Sequence, residues 1–291
     1  MNGEEETIYP KVLVVHLQET GTSIGYAQDF SFSVYKKDTE ENKASADKKE
    51  TPSETGVCDK DTSGKTGEVK ELVGKYLQKE RCSAGVVLVL REGFDRDRSK
   101  RIIGDLFELE AVDGVFVQTE SLAVLYTLNI PSACVVRISE RSCTVSCVFD
   151  GLLLNETVRH KELDTQTVAE YQEDTETTDK LLKENNIAYC VLSSIATAEK
   201  QTKHGLGGNI FVSSDSFCAE QLAGRLKETL SAATKKAFKV GTPALKTWHG
   251  GAITAKILNK QTLFCRGCWI RKEAWGQEKE KALRESLFFE W

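Results

Sequence analysis

The chain reads as a mixed α/β protein, and three observations carry that reading. Short β-branched apolar runs at residues 11–15, 85–90 and 209–212 have the length and composition of strands buried on both faces. Stretches with apolar residues at helical spacing separate them, such as Leu72, Val73, Tyr76 and Leu77, or Leu222, Leu226 and Leu230. Strands that alternate with helices build a sheet covered by helices.

Taken in order, the first strand is expected over residues 11–15, directly after Pro10. A second is expected over 26–35, where Phe30, Phe32 and Val34 alternate with Asp29, Ser31 and Ser33 and leave one wet face. From residue 38 to 68 the only large aliphatic residue is Val57, so no apolar face offsets the entropy of ordering, and a disordered insert is expected. Its Ser63-Gly64-Lys65-Thr66-Gly67 superficially evokes a phosphate loop but lacks the leading glycine and the apolar strand before it. Then follow a helix over 69–79, a strand over 85–90, a helix over 99–109, a strand over 114–118 and a helix over 120–128. Paired strands at 133–138 and 143–149 close on Asp150-Gly151. A polar helical segment over 165–185, a short strand over 188–192, the strand at 209–212 and the helix with the leucine stripe precede the tail.

Composition narrows the function classes. The 291 residues carry a net charge of −5, which argues against general affinity for phosphate backbones and leaves any nucleic-acid role local or indirect. The longest apolar runs are too short to cross a bilayer, so no membrane partner is expected. The acidic start over residues 1–6 lacks the pattern of a signal peptide, and the nine irregularly spaced cysteines are expected mostly as thiols. Cys265-Arg266-Gly267-Cys268 has the spacing of half a zinc site, but no second pair completes it. His16 and His160 lie on no nucleophile motif, and no hydrolase pattern is present.

The order of elements and several residues resemble the actin fold, the two-lobed architecture of actin, Hsp70 chaperones and hexokinase. Residues 133–151 lie without a gap on actin's second phosphate hairpin, and Trp248-His249-Gly250-Gly251-Ala252-Ile253 is similar to the start of actin's returning C-terminal helix. The ending, Trp269-Ile270 and Trp275 followed by Leu283-Arg284-Glu285, Phe288-Phe289 and Trp291, resembles the actin-related proteins, most closely their eighth branch, nuclear subunits of chromatin remodellers. The resemblance implies a first lobe over 1–131, a second over 132–247 and a segment over 248–291 that returns to the first, with reduced outer subdomains.

It also implies what the nucleotide positions have become. Actins hold ATP with glycine and serine amides and paired aspartates. On the first hairpin that pattern reads His16-Leu17-Gln18-Glu19-Thr20, and on the second Arg137-Ile138-Ser139-Glu140-Arg141. Glu120 stands for the water-positioning glutamine, and Ser213-Ser214-Asp215 for the adenosine-side glycines. Side chains are therefore expected to fill the cradle, with Arg137 pairing to Glu19 or Glu140, and neither ATP, another cofactor nor a metal is expected. The resemblance implies a non-catalytic nuclear scaffold that docks on an amphipathic helix of a remodeller ATPase, beside actin and other actin-related subunits. DNA is touched weakly or through partners. Tyr126, Thr254 and Ile257 match the groove lining for that helix. The alternatives are an actin-like ATPase with altered phosphate loops and a divergent cytoskeletal actin.

Overall fold

The computed structural model describes residues 7–36, 64–78, 82–202 and 205–286. Two sheets organise it. In the first, β1 (Lys11–Leu17) runs antiparallel to β2 (Gly21–Tyr26), which pairs with β3 (Ser33–Lys36). On its other side β1 is parallel to β4 (Ala84–Leu90), and β4 to β5 (Val112–Thr119). The second sheet repeats this wiring. β6 (Ala133–Ile138) is antiparallel to β7 (Ser142–Phe149), which pairs with β8 (Leu152–Glu162). β6 is also parallel to β9 (Ile210–Ser214), and β9 to β10 (Val240–Gly241). The orders β3-β2-β1-β4-β5 and β8-β7-β6-β9-β10 correspond strand for strand, so the two sheets repeat one wiring. A short C-terminal strand, β11 (Ile270–Arg271), extends the first sheet beyond β5.

β4 is buried along its whole length, which explains why its residues read as a continuous aliphatic run. Helices α1 (Gly64–Leu77) and α2 (Arg96–Phe107) cover one face of the first sheet with Val69, Val73, Ile102, Ile103 and Leu106. Asp95 caps α2 by accepting a hydrogen bond from the Arg98 amide at 2.7 Å. The opposite face is covered by α8 (Thr247–Leu258) and α9 (Leu263–Cys268). Here Trp248 is buried and its Nε1 donates to the Val14 carbonyl at 3.0 Å, stitching the C-terminal segment to β1. The second sheet is covered on one face by α5 (Thr175–Glu184), α6 (Ile187–Thr202) and α7 (Ala219–Thr234), and on the other by α3 (Glu120–Leu128). α3 and α8 cross closely because Gly250 has no side chain: a Cβ there would overlap the Ala123 carbonyl.

Several expectations need correction. Residues 26–35 are not one strand; the chain turns between β2 and β3, with Phe30 at φ 53°. The insert expected up to residue 68 gives way to α1 at Gly64, because Val69, Val73 and Leu77 anchor that helix in the core; residues 37–63 lie outside the described residues. Gly64-Lys65-Thr66-Gly67 is therefore the first turn of a helix, not a phosphate loop. Residues 188–192 are helical within α6, whose buried Ile187, Val191, Ile195 and Ala198 recur at helical spacing. The segment at 165–185 divides into α4 (Thr165–Ala169) and α5, with Glu173 between them at positive φ. β8 is an additional edge strand whose mostly polar outward residues hide its pattern.

A candidate functional site in the cleft between the sheets

A cleft of about 960 Å³ lies where the two repeats face each other. The β1–β2 and β6–β7 turns, the segment after β4, the start of α3 and the end of β9 line it. These positions sit beyond the carboxyl ends of parallel strands, where open α/β sheets place their ligand crevices.

The floor is a buried charge network. Arg137, on β6 beside Ser213 of β9, is 6% exposed. Its Nε lies 3.4 Å from Glu120 Oε2, its Nη1 donates to Ser213 Oγ at 3.3 Å, and its Nη2 pairs with Asp215. His16 Nε2 lies 2.6 Å from the other Glu120 oxygen. Gln18 Nε2 donates to Asp215 at 2.6 Å and faces His16 Nδ1 at 3.4 Å. One guanidinium from the second repeat is thus clamped between a carboxylate of α3 and one beyond β9. Burial raises the Glu120 and Asp215 carboxyls, but Arg137 first and His16 second overcome it and hold both below the usual carboxylate range. The same pair keeps Arg137 protonated against its own desolvation.

Glu19 forms a second bridge. It accepts from Arg91 Nη1 at 3.1 Å and from Ser139 Oγ and Ser142 Oγ at 2.6 Å each. The expected pairing of Arg137 with Glu19 or Glu140 is therefore wrong. The guanidinium runs along the sheet toward β9, and Glu19 is saturated by other donors. Nor do side chains fill the cradle: they fold onto its floor and pair there, leaving the outer cleft open. His16, Gln18, Glu19, Glu120, Arg137, Ser139 and Asp215 do converge. Thr20 lines the cleft, whereas Glu140 is exposed at the turn. Ser214 caps a turn, its Oγ accepting from the amides of Ser216 and Phe217 at 3.2 and 3.0 Å.

Sequence reasoning missed Arg91, Arg98, His160 and Glu92. Arg91 and Glu92 directly follow a parallel strand, the position from which side chains enter a crevice, and that rule was the available signal. Glu92 is buried and accepts from the Ser121 amide at 2.7 Å and from Ser121 Oγ, which in turn lies 2.5 Å from Ser146 Oγ of β7. Burial first and Glu120 second push its carboxyl up. A raised folded value contributes stability below the unfolded carboxylate value of about 4.3 that is lost as pH rises through the folded one. Glu92→Gln is accordingly expected to gain stability over the parent as pH rises from 4 to 8, read from urea midpoints; a difference that stays flat with pH contradicts a raised Glu92.

At the groove positions, Tyr126 and Ile257 are partly exposed at 39% and 44%. Thr254 is buried and donates to the Gly250 carbonyl at 3.0 Å, so it lines no groove and that expectation is corrected. Tyr126 instead borders an apolar hollow of about 310 Å³ with Leu122, Leu125, Ile130 and Pro131. Cys265 and Cys268 turn their thiols to the Ile257 and Phe264 carbonyls, and burial pushes Cys268 up to about 11. Among the described residues no cluster of three metal-ligating side chains occurs. Among them, too, no helix is long and apolar enough to cross a membrane. A scan of the chain against protein-family models finds no match, and a search of curated proteins likewise finds none.

Proposed function

We propose that the chain is a non-catalytic, actin-related scaffold of a nuclear chromatin-remodelling complex that docks on an amphipathic helix of the remodeller ATPase. The observation that carries this reading is the Glu120–Arg137–Asp215 clamp. At the hairpin positions where an actin-like fold needs glycine amides and metal-organising aspartates, this chain has a cation locked to its own carboxylates. A phosphate chain entering there would have to displace a buried ion pair and meet Glu19. The duplicated strand order supports the two-lobed architecture. The apolar hollow beside Tyr126, with Ile257 exposed on α8, supports docking of a helix through anchors three or four residues apart. Actin and other actin-related subunits are the expected neighbours, and DNA is reached weakly or through them.

The open outer cleft favours a second reading, an ATPase with altered loops. Affinity purification of the full chain from nuclear extract of its own cells separates the two. A remodelling ATPase recovered with wild type and lost with Tyr126→Glu supports the scaffold. Cytoskeletal partners without such an ATPase, or turnover of MgATP by the purified chain, contradict it.

A further inference from the structure

We propose that the outer cleft binds a compact phosphate-bearing anion between the guanidinium groups of Arg98, on α2, and Arg141, in the β6–β7 turn. Both side chains line the open volume, one from each repeat. The floor network leaves them out: Arg137 is committed to Glu120 and Asp215, and Arg91 to Glu19. Arg98 is held ready for an acceptor. Its guanidinium carbon sits 4.9 Å over the Phe94 ring, and its buried Nε has no hydrogen-bond partner. A planar fork stacked on an aromatic and lacking an acceptor suits bidentate capture of a phosphate. Arg141 is exposed, and among the described residues no acceptor meets its guanidinium.

The electrostatics agree. Burial, then the charges of Arg91 and Arg101, depress the Arg98 guanidinium, and Asp95 and Glu68 offset this only in part, so a bound anion relieves the remaining crowding. His160, with Nδ1 3.0 Å from Thr144 Oγ1, lines the same wall together with Thr20 and Ser142. Glu68 and Glu162 also face the cleft and disfavour a long polyanion, which limits the ligand to a phosphate monoester or pyrophosphate group. Nothing in this arrangement addresses an adenine ring. The site is built from side-chain forks rather than from backbone amides, and it does not depend on the scaffold reading.

Isothermal titration of the full chain at fixed ionic strength tests the site, with phosphate, pyrophosphate and MgATP as probes and sodium chloride as the control. Pyrophosphate is expected to bind saturably, and MgATP no more tightly than pyrophosphate. Arg98→Ala and Arg141→Ala are each expected to weaken pyrophosphate about tenfold or more, since a charge-assisted hydrogen bond is worth that much. Arg98→Lys should recover only part of the loss, because a point charge lacks the fork. Arg141 is exposed and Arg98 half-buried, and matching melting curves of the variants would show that the fold is intact. Pyrophosphate binding that survives the double substitution, or an effect matched by sodium chloride, overturns the proposal. Failure of the scaffold reading would show separately, as hydrolysis of MgATP.

Discussion

Arg137→Ala is expected to destabilise the protein by about 3–5 kcal/mol, because it leaves two carboxylates facing each other in a buried site without their cation. For a chain of this size that corresponds to a fall of roughly 10 °C in melting temperature. Glu120 is 5% exposed and its remaining partner, His16, reaches only one of its oxygens. Asp215 retains Gln18. Neither neutral replacement of the arginine nor water can supply the missing charge, so Arg137→Met should fare little better. Neutralising the two acids in the same chain, with Glu120→Gln and Asp215→Asn, should recover most of the loss, since the cost lies in uncompensated charge rather than in lost packing.

The pH dependence carries the sign of the same argument. In the parent, Glu120 and Asp215 titrate below the usual carboxylate range, so their contribution is present above about pH 4 and is lost as pH falls through the folded values. In Arg137→Ala those carboxyls are governed by burial and accept protons readily, so the gap between variant and parent should narrow on acidification. Urea midpoints measured from pH 3 to 8 read this directly. A gap independent of pH would show that Arg137 acts through packing alone.

Trp248→Ala is expected to cost about 3–5 kcal/mol, the range for truncating a large buried aromatic. The indole is 1% exposed, stacks on Phe32 at a centroid distance of 4.9 Å, and packs in the cluster that joins β1, β4 and α8. Its hydrogen bond to the Val14 carbonyl ties residues 234 apart in sequence. Trp248→Phe keeps most of the volume and loses the donor, so about 1 kcal/mol is expected. Chemical denaturation gives both values. A cost under 1 kcal/mol for the alanine variant would mean that the C-terminal segment is not integral to the first sheet.

Elements were legible where pattern and burial agree. The helix expected over 120–128 coincides with α3, whose Leu122, Val124 and Leu125 pack on the second sheet while its first turn faces the cleft. The strand expected over 133–138 coincides with β6. Residues 188–192 misled because five residues, mostly apolar, cannot distinguish a buried strand from a buried helix face; the partners that decide, Ser194, Ile195 and Ala198, lie beyond that window. β8 was hidden because Asn155, Glu156 and Lys161 point outward from an edge and leave only Leu153 and Thr157 well buried.

The cleft floor shows a different limit. His16, Glu120, Arg137 and Asp215 come from four separate elements, and no local spacing links them. Their convergence was reached through resemblance to a fold, and even so the partner of Arg137 was misassigned. A resemblance supplies backbone positions, whereas the direction a long side chain takes is set by its neighbours, here Ser213 on the adjoining strand. Glu92 and Arg98 carried no motif at all, and their roles emerge only from burial and from the groups they lack.

The proposed function rests on one claim: with the Glu120–Arg137–Asp215 clamp on the cleft floor, the chain holds no nucleotide. The nucleotide content of the full chain, purified without added nucleotide, denatured and analysed by chromatography, tests it most directly. Adenine nucleotide should be absent or far below one per chain, because Arg137, Glu120 and Asp215 satisfy one another. A stoichiometric adenine nucleotide released on denaturation would contradict the claim.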